Sequence, residues 1–242
     1  MPSVSIVIPM HNEADNVALL VEGIAKACSV ADSFEIICVD DGSTDETASR
    51  IRALQADHPT LRMLQHPTAG GQSSAVHSGV LAAKAPIVCT LDGDGQNPPS
   101  ELPKLFTLLM NDKTGALGLV AGQRVGRKDT LSKRWASKFA NGLRGWMLKD
   151  GTRDTGCGLK GFRRDAFLAL PYFDHMHRYL PALMARDGWE IAHVDVSHAA
   201  RHSGSSKYSN LQRALVGIYD LFGVAWLIRR RKKARPLAEE RS

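Results

Sequence analysis

Short apolar runs, rich in β-branched residues, alternate along the first part of the chain with segments whose apolar residues recur every three or four positions. The runs are typical of buried strands, and the three-and-four spacing is typical of helices that bury one face. Strands are predicted at Ser3 to Pro9, Phe34 to Val39, Leu61 to Leu64, Ile87 to Leu91 and, at a sheet edge, Trp189 to Val196. This alternation predicts an α/β fold with a mostly parallel central sheet and helices on both faces.

Polar residues also indicate where two of the helices begin. Asn12 is predicted to cap the helix that follows the first strand. Ser43 and Glu46 have the spacing of a capping box for the helix after the second strand.

Acidic residues stand at the ends of three predicted strands: Glu13, the pair Asp40 and Asp41, and the pair Asp92 and Asp94. Because ligands of such sheets bind at the carboxyl ends of the strands, these side chains are expected to share one site. Two carboxylates one residue apart at a buried strand end need a positive partner. A hard divalent cation such as magnesium takes oxygen ligands and keeps positions open for phosphate oxygens, so the pattern suits a substrate that carries a diphosphate.

Composition and charge narrow the alternatives. A chain of 242 residues, 43% of them apolar, is long enough for one large α/β domain. The net charge of +6 is concentrated in residues 229–242, which hold seven of the 31 basic and two of the 25 acidic residues and leave +1 for the rest. We therefore expect no nucleic-acid partner, since that would require a basic face on the folded domain.

The cysteines and the N-terminal residues favour the cytoplasm. Cys28, Cys38, Cys89 and Cys157 show no Cys-x-x-Cys spacing, which fits a reducing compartment. No charged and apolar leader precedes Val4, so secretion is not expected.

The common nucleotide-binding signatures are missing. There is no Gly-x-Gly-x-x-Gly after the first strand and no Gly-x-x-x-x-Gly-Lys-Ser/Thr in the sequence. Dinucleotide dehydrogenases and P-loop hydrolases are therefore disfavoured.

A series of ordered motifs resembles a known family. The motifs are Pro9 to Glu13, Asp40 to Asp45, Gly71 to Ala75 with Gly79, Leu91 to Pro99, Gly122 to Arg124, Arg127 to Asp129, Asp154 to Gly158, Phe162 to Asp165 and Arg201 to Lys207. In this order they are similar to those of inverting family 2 glycosyltransferases with the GT-A fold. They resemble most closely the branch of dolichol-phosphate mannose synthases and bacterial polyprenyl-phosphate sugar transferases.

The resemblance implies a donor site for a UDP- or GDP-linked sugar. Its nucleotide-binding residues would be Pro9, His11, Glu13, Asp40, Asp41, Gln72 and Asp92. Asp92, Asp94 and Gln96 would hold Mg²⁺ or Mn²⁺ against the diphosphate. His11 stands where this branch often has an aromatic residue, and an imidazole also stacks on a base.

On the acceptor side, basic residues follow Gly122. Two phosphates about 4 Å apart repel by about 4 kcal/mol at an intermediate dielectric, so cations must line the gap between them. The resemblance implies that Arg124, Arg134, Ser137, Arg201 and Lys207 handle the acceptor phosphate. The predicted catalytic set is Asp92, Asp94, Arg124, Arg134 and Asp154, with Asp154 shaping the sugar pocket or serving only as a turn residue. An ionised lipid phosphate needs no strong general base.

The C-terminal part predicts contact with a membrane. From Ala214 to Ile228 the chain is apolar or glycine apart from Tyr219 and Asp220, which gives 15 residues, too few to cross a bilayer of about 30 Å. We expect a catalytic domain at 1–210, an interfacial helix at 211–230 and a basic tail at 231–242 that binds anionic lipid. An ordinary core helix with a disordered tail is the alternative. The protein would be peripheral on the cytoplasmic side of the membrane, or recruited there by a small membrane subunit.

Two other functions stay open. A saccharide or lipid hydroxyl could be the acceptor, which would require a carboxylate base, or the chain could be a non-catalytic nucleotide-binding subunit docked to a membrane. His175-x-His177 could indicate a second metal, but we interpret both as surface histidines.

Overall fold

A seven-stranded sheet forms the centre of the protein. The computed structural model describes residues 1–125, 144–145, 147–148, 150–152, 154–199 and 210–231, without side chains for 210–216. The strands are β1 (Val4–Met10), β2 (Phe34–Asp41), β3 (Leu61–His66), β4 (Ile87–Thr90), β5 (Leu117–Arg124), β6 (Lys160–Arg163) and β7 (Glu190–Val196). Their order in the sheet is β3-β2-β1-β4-β6-β5-β7. All pairs are parallel except those that β6 forms with β4 and β5, which confirms a mostly parallel sheet.

Helices cover both faces of this sheet. They are α1 (Val17–Cys28), α2 (Thr47–Leu54), α3 (Gln72–Ala82), α4 (Leu102–Asn111), α5 (Arg164–Leu168), α6 (Leu180–Arg186) and α7 (Asn210–Arg229). Along β1, Ile6 and Ile8 pack with α1 and α4 on one face, whereas Val7 packs with α3 on the other. The alternation of β1 side chains between two apolar layers explains why its sequence is apolar at almost every position.

The predicted helix caps are wrong. Asn12 has φ +57° and accepts a hydrogen bond from the backbone N–H of Thr44 (2.8 Å), so its side chain joins two loops. A short 3₁₀ turn (Ala14–Asn16) precedes α1, and no side chain caps either helix. Helix α2 begins at Thr47, and Ser43 instead accepts a hydrogen bond from the N–H of Asn12 (3.0 Å). Both supposed caps are used to tie the ends of β1 and β2 together.

Helix α7 packs one face against α6, and large apolar side chains on its other face are exposed. Leu221 and Val224 are buried in the core beneath it, the Tyr179 hydroxyl donates to the carbonyl of Gly217 (3.1 Å), and Arg186 donates to that of Leu227 (3.1 Å). The outer face exposes four large side chains, Ile218 (50%), Tyr219 (83%), Phe222 (64%) and Trp226 (58%). Within the ranges given above, no helix has both the length and the apolarity needed to cross a bilayer.

Candidate active site

The carboxyl ends of β1, β2 and β4 meet at one edge of the sheet, as their parallel pairing requires. Met10 pairs with Asp40 in register, and Val7 with Thr90, so the segments after these strands come together. They enclose a cavity of about 260 Å³, which we call the nucleotide cavity. Every predicted nucleotide-binding residue lines it except one: Pro9, His11, Glu13, Asp41, Gln72 and Asp92 are present, together with Asp94.

Asp40 is the exception. Its carboxylate is fully buried and accepts hydrogen bonds from the N–H of Ser43 (3.2 Å) and the amide of Gln65 (3.0 Å). The structure therefore places Asp40 beneath the cavity, where it fixes the loop after β2.

Asp41 organises the wall of the cavity. Its carboxylate accepts hydrogen bonds from the backbone N–H groups of Gly70 and Gly71, both at 2.8 Å, and lies 2.7 Å from His66 Nδ1. Gly71, at φ +85°, then starts α3, whose first residue is Gln72. The Asp41 carboxylate at the end of β2 thus fixes the backbone just before α3 and, with it, the position of Gln72.

The ring of His11 is held at the cavity by the backbone of Asp41. Because a carbonyl only accepts, His11 Nδ1 carries the hydrogen that it donates to the Asp41 carbonyl (2.8 Å). Nε2 is then the acceptor, and the amide of Asn12 lies 3.4 Å from it. These two contacts fix the orientation of the His11 ring at the cavity.

Two side-chain amides hold the Asp92 carboxylate in place. Its two oxygens accept hydrogen bonds from the amides of Gln72 (2.7 Å) and Asn97 (3.0 Å). Burial raises the pKa of Asp92 and the charge of Asp94 raises it further, against the opposing effects of Lys160 and Arg124. A nearby cation would stabilise the ionised form of a carboxylate in this position.

A magnesium or manganese ion fits this group of donors. Asp94 accepts a hydrogen bond from the N–H of Gln96 (3.1 Å), which holds the tight loop after β4. Across the described ranges, no group of three or more His, Cys, Asp or Glu side chains could hold a metal. Asp92 and Asp94 line the nucleotide cavity with hard oxygen donors, and the raised pKa of Asp92 shows that its buried charge needs a partner. A cation here would complete its coordination with phosphate oxygens of a ligand.

Gly158 packs directly against Asp92, a contact that the sequence does not reveal. A Cβ at Gly158 would lie 2.3 Å from the Asp92 carboxyl atoms, so no larger residue fits without moving that carboxylate. Asn97 and Lys160 are also site residues that the sequence analysis did not assign, and it interpreted His177 as a surface histidine. The sequence signal for Asn97, Gly158 and Lys160 is that they lie in or beside the motifs quoted above.

Arg124 and Asp154 form a pair at the end of β5. Arg124 Nε and Nη2 donate to the two carboxylate oxygens of Asp154 at 2.6 and 2.8 Å. Burial alone would raise the pKa of Asp154, but the hydrogen bonds and charge of Arg124 outweigh it and lower the pKa. Arg124 and Asp154, both in the predicted catalytic set, therefore bind each other. The other predicted acceptor residues, Arg134, Ser137, Arg201 and Lys207, lie outside the described residues.

A second cavity, of about 110 Å³, adjoins the nucleotide cavity. It shares Pro9, Gln72 and Asp92 with the nucleotide cavity and continues to Thr155, Lys160 and His177. His177 is therefore not a simple surface residue: its ring is half-buried, with Nδ1 2.7 Å from the Ser73 hydroxyl. His175, by contrast, pairs with Asp220 on α7 (3.3 Å).

The sheet order and the acidic cavity edge define a GT-A glycosyltransferase. Residues 5–170 match the model of glycosyl transferase family 2, and the chain belongs to this family. The predicted family and fold are confirmed.

Among curated proteins, the chain is similar to dodecaprenyl-phosphate galacturonate synthase of Rhizobium johnstonii, with 35% identity over 96% of this chain and 68% of that protein. It is also similar to undecaprenyl-phosphate 4-deoxy-4-formamido-L-arabinose transferase of Photorhabdus laumondii, with 33% identity over 90% of this chain and 66% of that protein. The chain thus spans about two thirds of the length of these relatives.

Solved structures with the same fold include glucosyl-3-phosphoglycerate synthase from Mycobacterium tuberculosis in complex with Mn²⁺, UDP-glucose and phosphoglyceric acid. The TM-score is 0.70 at 18% identity, over 96% of this chain and 81% of that one. A mannosyltransferase from Pyrobaculum calidifontis in complex with GDP-mannose and Mn²⁺ gives a TM-score of 0.67 at 19% identity, over 97% of this chain and 66% of that one.

Proposed function

We propose that the protein transfers a sugar from a nucleoside diphosphate sugar to a polyprenyl phosphate, with inversion, at the cytoplasmic surface of a membrane. The observation that carries this proposal is the nucleotide cavity, which joins six of the seven predicted nucleotide-binding residues to the carboxylates of Asp92 and Asp94. The names of the two curated relatives support the acceptor, since both name a polyprenyl phosphate.

In the donor site, the protein holds the nucleotide by shape and by fixed polar groups. The oriented ring of His11 would stack on the base, and Glu13 lines the same cavity. Asp92 and Asp94, with Gln96, would hold Mg²⁺ or Mn²⁺, which when bound neutralises charge on the departing diphosphate. Gln72 and Asn97 keep the Asp92 carboxylate in place for this role.

The transfer step requires little proton chemistry. An oxygen of the acceptor phosphate forms a bond to the anomeric carbon as the bond from that carbon to the diphosphate breaks, and the electron pair leaves with the diphosphate. A phosphate monoester is largely ionised at neutral pH, so no residue has to remove a proton. Arg124, oriented by Asp154, would reduce the repulsion between the two phosphates.

Helix α7 is proposed to bind the membrane surface. Ile218, Tyr219, Phe222 and Trp226 form one uncovered apolar stripe, and the exposed Arg229, Arg230 and Arg231 follow at its C-terminal end. An apolar stripe with adjacent basic residues fits an interfacial helix on anionic lipid. The helix would bring the site to the leaflet that holds the lipid phosphate, with residues 1–210 as the catalytic domain.

The test is transfer of label into lipid. The protein is incubated with polyprenyl phosphate and labelled UDP and GDP sugars, with Mn²⁺, Mg²⁺ or EDTA, and the lipid fraction is counted. Metal-dependent label in the lipid, lost in the Asp92→Ala variant, is expected. Label in a saccharide or a lipid hydroxyl would favour the hydroxyl-acceptor alternative, and nucleotide binding without turnover would favour the non-catalytic one.

A further inference from the structure

The second cavity has a chemical character of its own. It adjoins the nucleotide cavity, and Pro9, Gln72 and Asp92 line both. Its inner wall comes from β6 and from the segment before α6, where Lys160, His177 and Arg178 stand. All three side chains carry hydrogen-bond donors.

Lys160 is a buried cationic side chain in this wall. Only 5% of it is exposed, and its Nζ donates to the carbonyl of Cys157. An ammonium group has three donors, so this one bond does not exhaust its capacity. Burial lowers the pKa of Lys160, and the nearby Cys157 and Asp92 oppose that shift. A buried lysine of this kind is costly unless an anion meets it.

The ring of His177 presents a second donor. Ser73 Oγ accepts from the backbone N–H of His177 (3.4 Å) and lies 2.7 Å from Nδ1. Burial and the charge of Lys160 lower the pKa of His177 well below its usual value, which keeps the ring neutral. A neutral imidazole ring carries one N–H donor.

We propose that this cavity receives the sugar of the donor and selects a sugar that carries a carboxylate, that is, a uronic acid. The assignment rests on the proposed function. The cavity adjoins the nucleotide cavity at Asp92, where the diphosphate would end, so the group attached to the diphosphate enters it. Leu91, Val76 and Leu180 complete the wall of this cavity.

The donor-rich wall is what favours a carboxylate over a neutral hydroxymethyl group. A carboxylate accepts from Lys160, His177 and Arg178 and pairs with the buried ammonium. A carboxylate would add a second anionic partner for Lys160 beside Asp92, which a neutral sugar does not supply. A site built to bind a polar group discriminates strongly against an analogue that lacks it.

The test measures donor binding without lipid, so it does not depend on transfer. Mn²⁺ is present, and UDP and GDP are compared first to find the preferred base. Matched pairs are then titrated: UDP-glucuronate against UDP-glucose, UDP-galacturonate against UDP-galactose, and GDP-mannuronate against GDP-mannose. At least one uronate is expected to bind about tenfold or more tightly than its neutral partner.

Variants test which residues produce the preference for a uronate over a neutral hexose. Lys160→Met and Arg178→Gln should each reduce the ratio of uronate to hexose affinity toward one, whereas Lys113→Met, an exposed lysine far from the cavity in sequence, should leave it unchanged. Arg178 is only partly buried, so its variant serves if Lys160→Met fails to fold. Equal or weaker binding of every uronate in the wild type would overturn the inference while leaving the nucleotide-sugar function intact. Absence of binding by UDP, GDP and all six sugars would overturn both.

Discussion

Arg124 and Asp154 face each other through two parallel hydrogen bonds, of 2.6 and 2.8 Å, at the rim of the candidate active site. A third, from the backbone N–H of Arg124 (3.3 Å), ties the same carboxylate to the end of β5. Asp154 therefore acts on the site through Arg124, because it fixes the direction of the guanidinium.

The first prediction concerns this pair. Asp154→Asn keeps the size of the side chain but removes the charge and one acceptor, so Arg124 loses its fixed orientation. We expect kcat/KM for lipid transfer to fall about 10- to 100-fold, mainly in kcat, because misplaced positioning groups act on the transition state. Steady-state kinetics with varied polyprenyl phosphate measures this. Glu46→Gln, which changes an exposed pair with Arg50, is the control and should change neither constant. An Asp154→Asn enzyme with wild-type kcat would contradict the role.

The second prediction uses the close packing of Gly158 on Asp92. Gly158→Ala places a methyl group where the Asp92 carboxyl lies, and we expect metal-dependent nucleotide affinity to fall about 10- to 100-fold. Isothermal titration of UDP or GDP in the presence of Mn²⁺ gives the affinity. Gly223→Ala on α7 meets no atom within 4 Å and should bind as the wild type does. Unchanged affinity in Gly158→Ala would show that the Asp92 carboxylate is not a metal ligand.

The third prediction concerns metal removal. EDTA, or alanine at both Asp92 and Asp94, should abolish transfer and weaken binding of the intact nucleoside diphosphate, because two carboxylates of the site would no longer share a cation with the diphosphate. Binding of the nucleoside without phosphates should be unaffected by EDTA. The comparison separates loss of the metal site from loss of the base-binding surface. Metal-independent turnover in the double variant would remove the basis of the proposed mechanism.

The fourth prediction is a dependence of stability on pH, away from the active site. Buried Glu35 accepts hydrogen bonds from Ser5 (2.7 Å), the N–H of Lys84 (2.7 Å) and Arg62 (2.5 Å). Burial alone would raise its pKa, but these bonds and the charge of Arg62 lower it.

A lowered pKa in the folded state means that this carboxylate stabilises the protein above the pKa of an ordinary glutamate. The contribution is lost as the pH falls through the folded-state pKa. Glu35→Gln should therefore lower the free energy of unfolding at pH 7 by about 1 to 3 kcal/mol, and the difference from the wild type should shrink in acid. Urea denaturation between pH 7 and pH 3 measures it. Glu22→Gln, at an exposed position, is the control. A constant difference at all pH values would exclude an ionised Glu35 as the cause.

The fifth prediction concerns the stripe on α7. Replacing Phe222 and Trp226 by serine should weaken sedimentation with anionic vesicles about tenfold for each residue, because each loses the burial of a large apolar side chain in lipid. Leu19→Ser removes an equally exposed leucine from α1 and should have no effect.

Removal of residues 229–242 separates the electrostatic part of this binding from the apolar part. Without these residues, affinity for anionic vesicles should fall and its salt dependence should weaken, while affinity for neutral vesicles stays the same, since each basic residue near anionic lipid contributes about 1 kcal/mol. If the serine variants and the truncated protein bind vesicles as the wild type does, α7 has no membrane role.

The strands and the acidic residues at their ends were predictable from sequence because both are local. Continuous apolar runs predicted β1, β2 and β4. Asp41, Asp92 and Asp94 stand at or just after the ends of these runs. Parallel pairing then brings strand ends to one edge. The nucleotide cavity was therefore predictable in its position and in most of its residues.

Predictions from local sequence were wrong where a side chain could form more than one kind of hydrogen bond. Asn12 and Ser43 have the composition of helix caps, but in the folded chain they bond to each other's loops. Asp40 and Asp41 are neighbours in sequence, yet only Asp41 reaches the cavity, because adjacent positions of a strand point to opposite sides.

The sequence by itself determined the alternation of strands and helices, the acidic edge of the sheet and the membership of the chain in its family. Only the tertiary structure decided that β6 enters antiparallel between β4 and β5. That insertion sets Gly158 against Asp92 and Lys160 into the second cavity. No periodicity encodes such a contact, since it depends on which strands pair across the sheet and not on the residues next to each one in the chain.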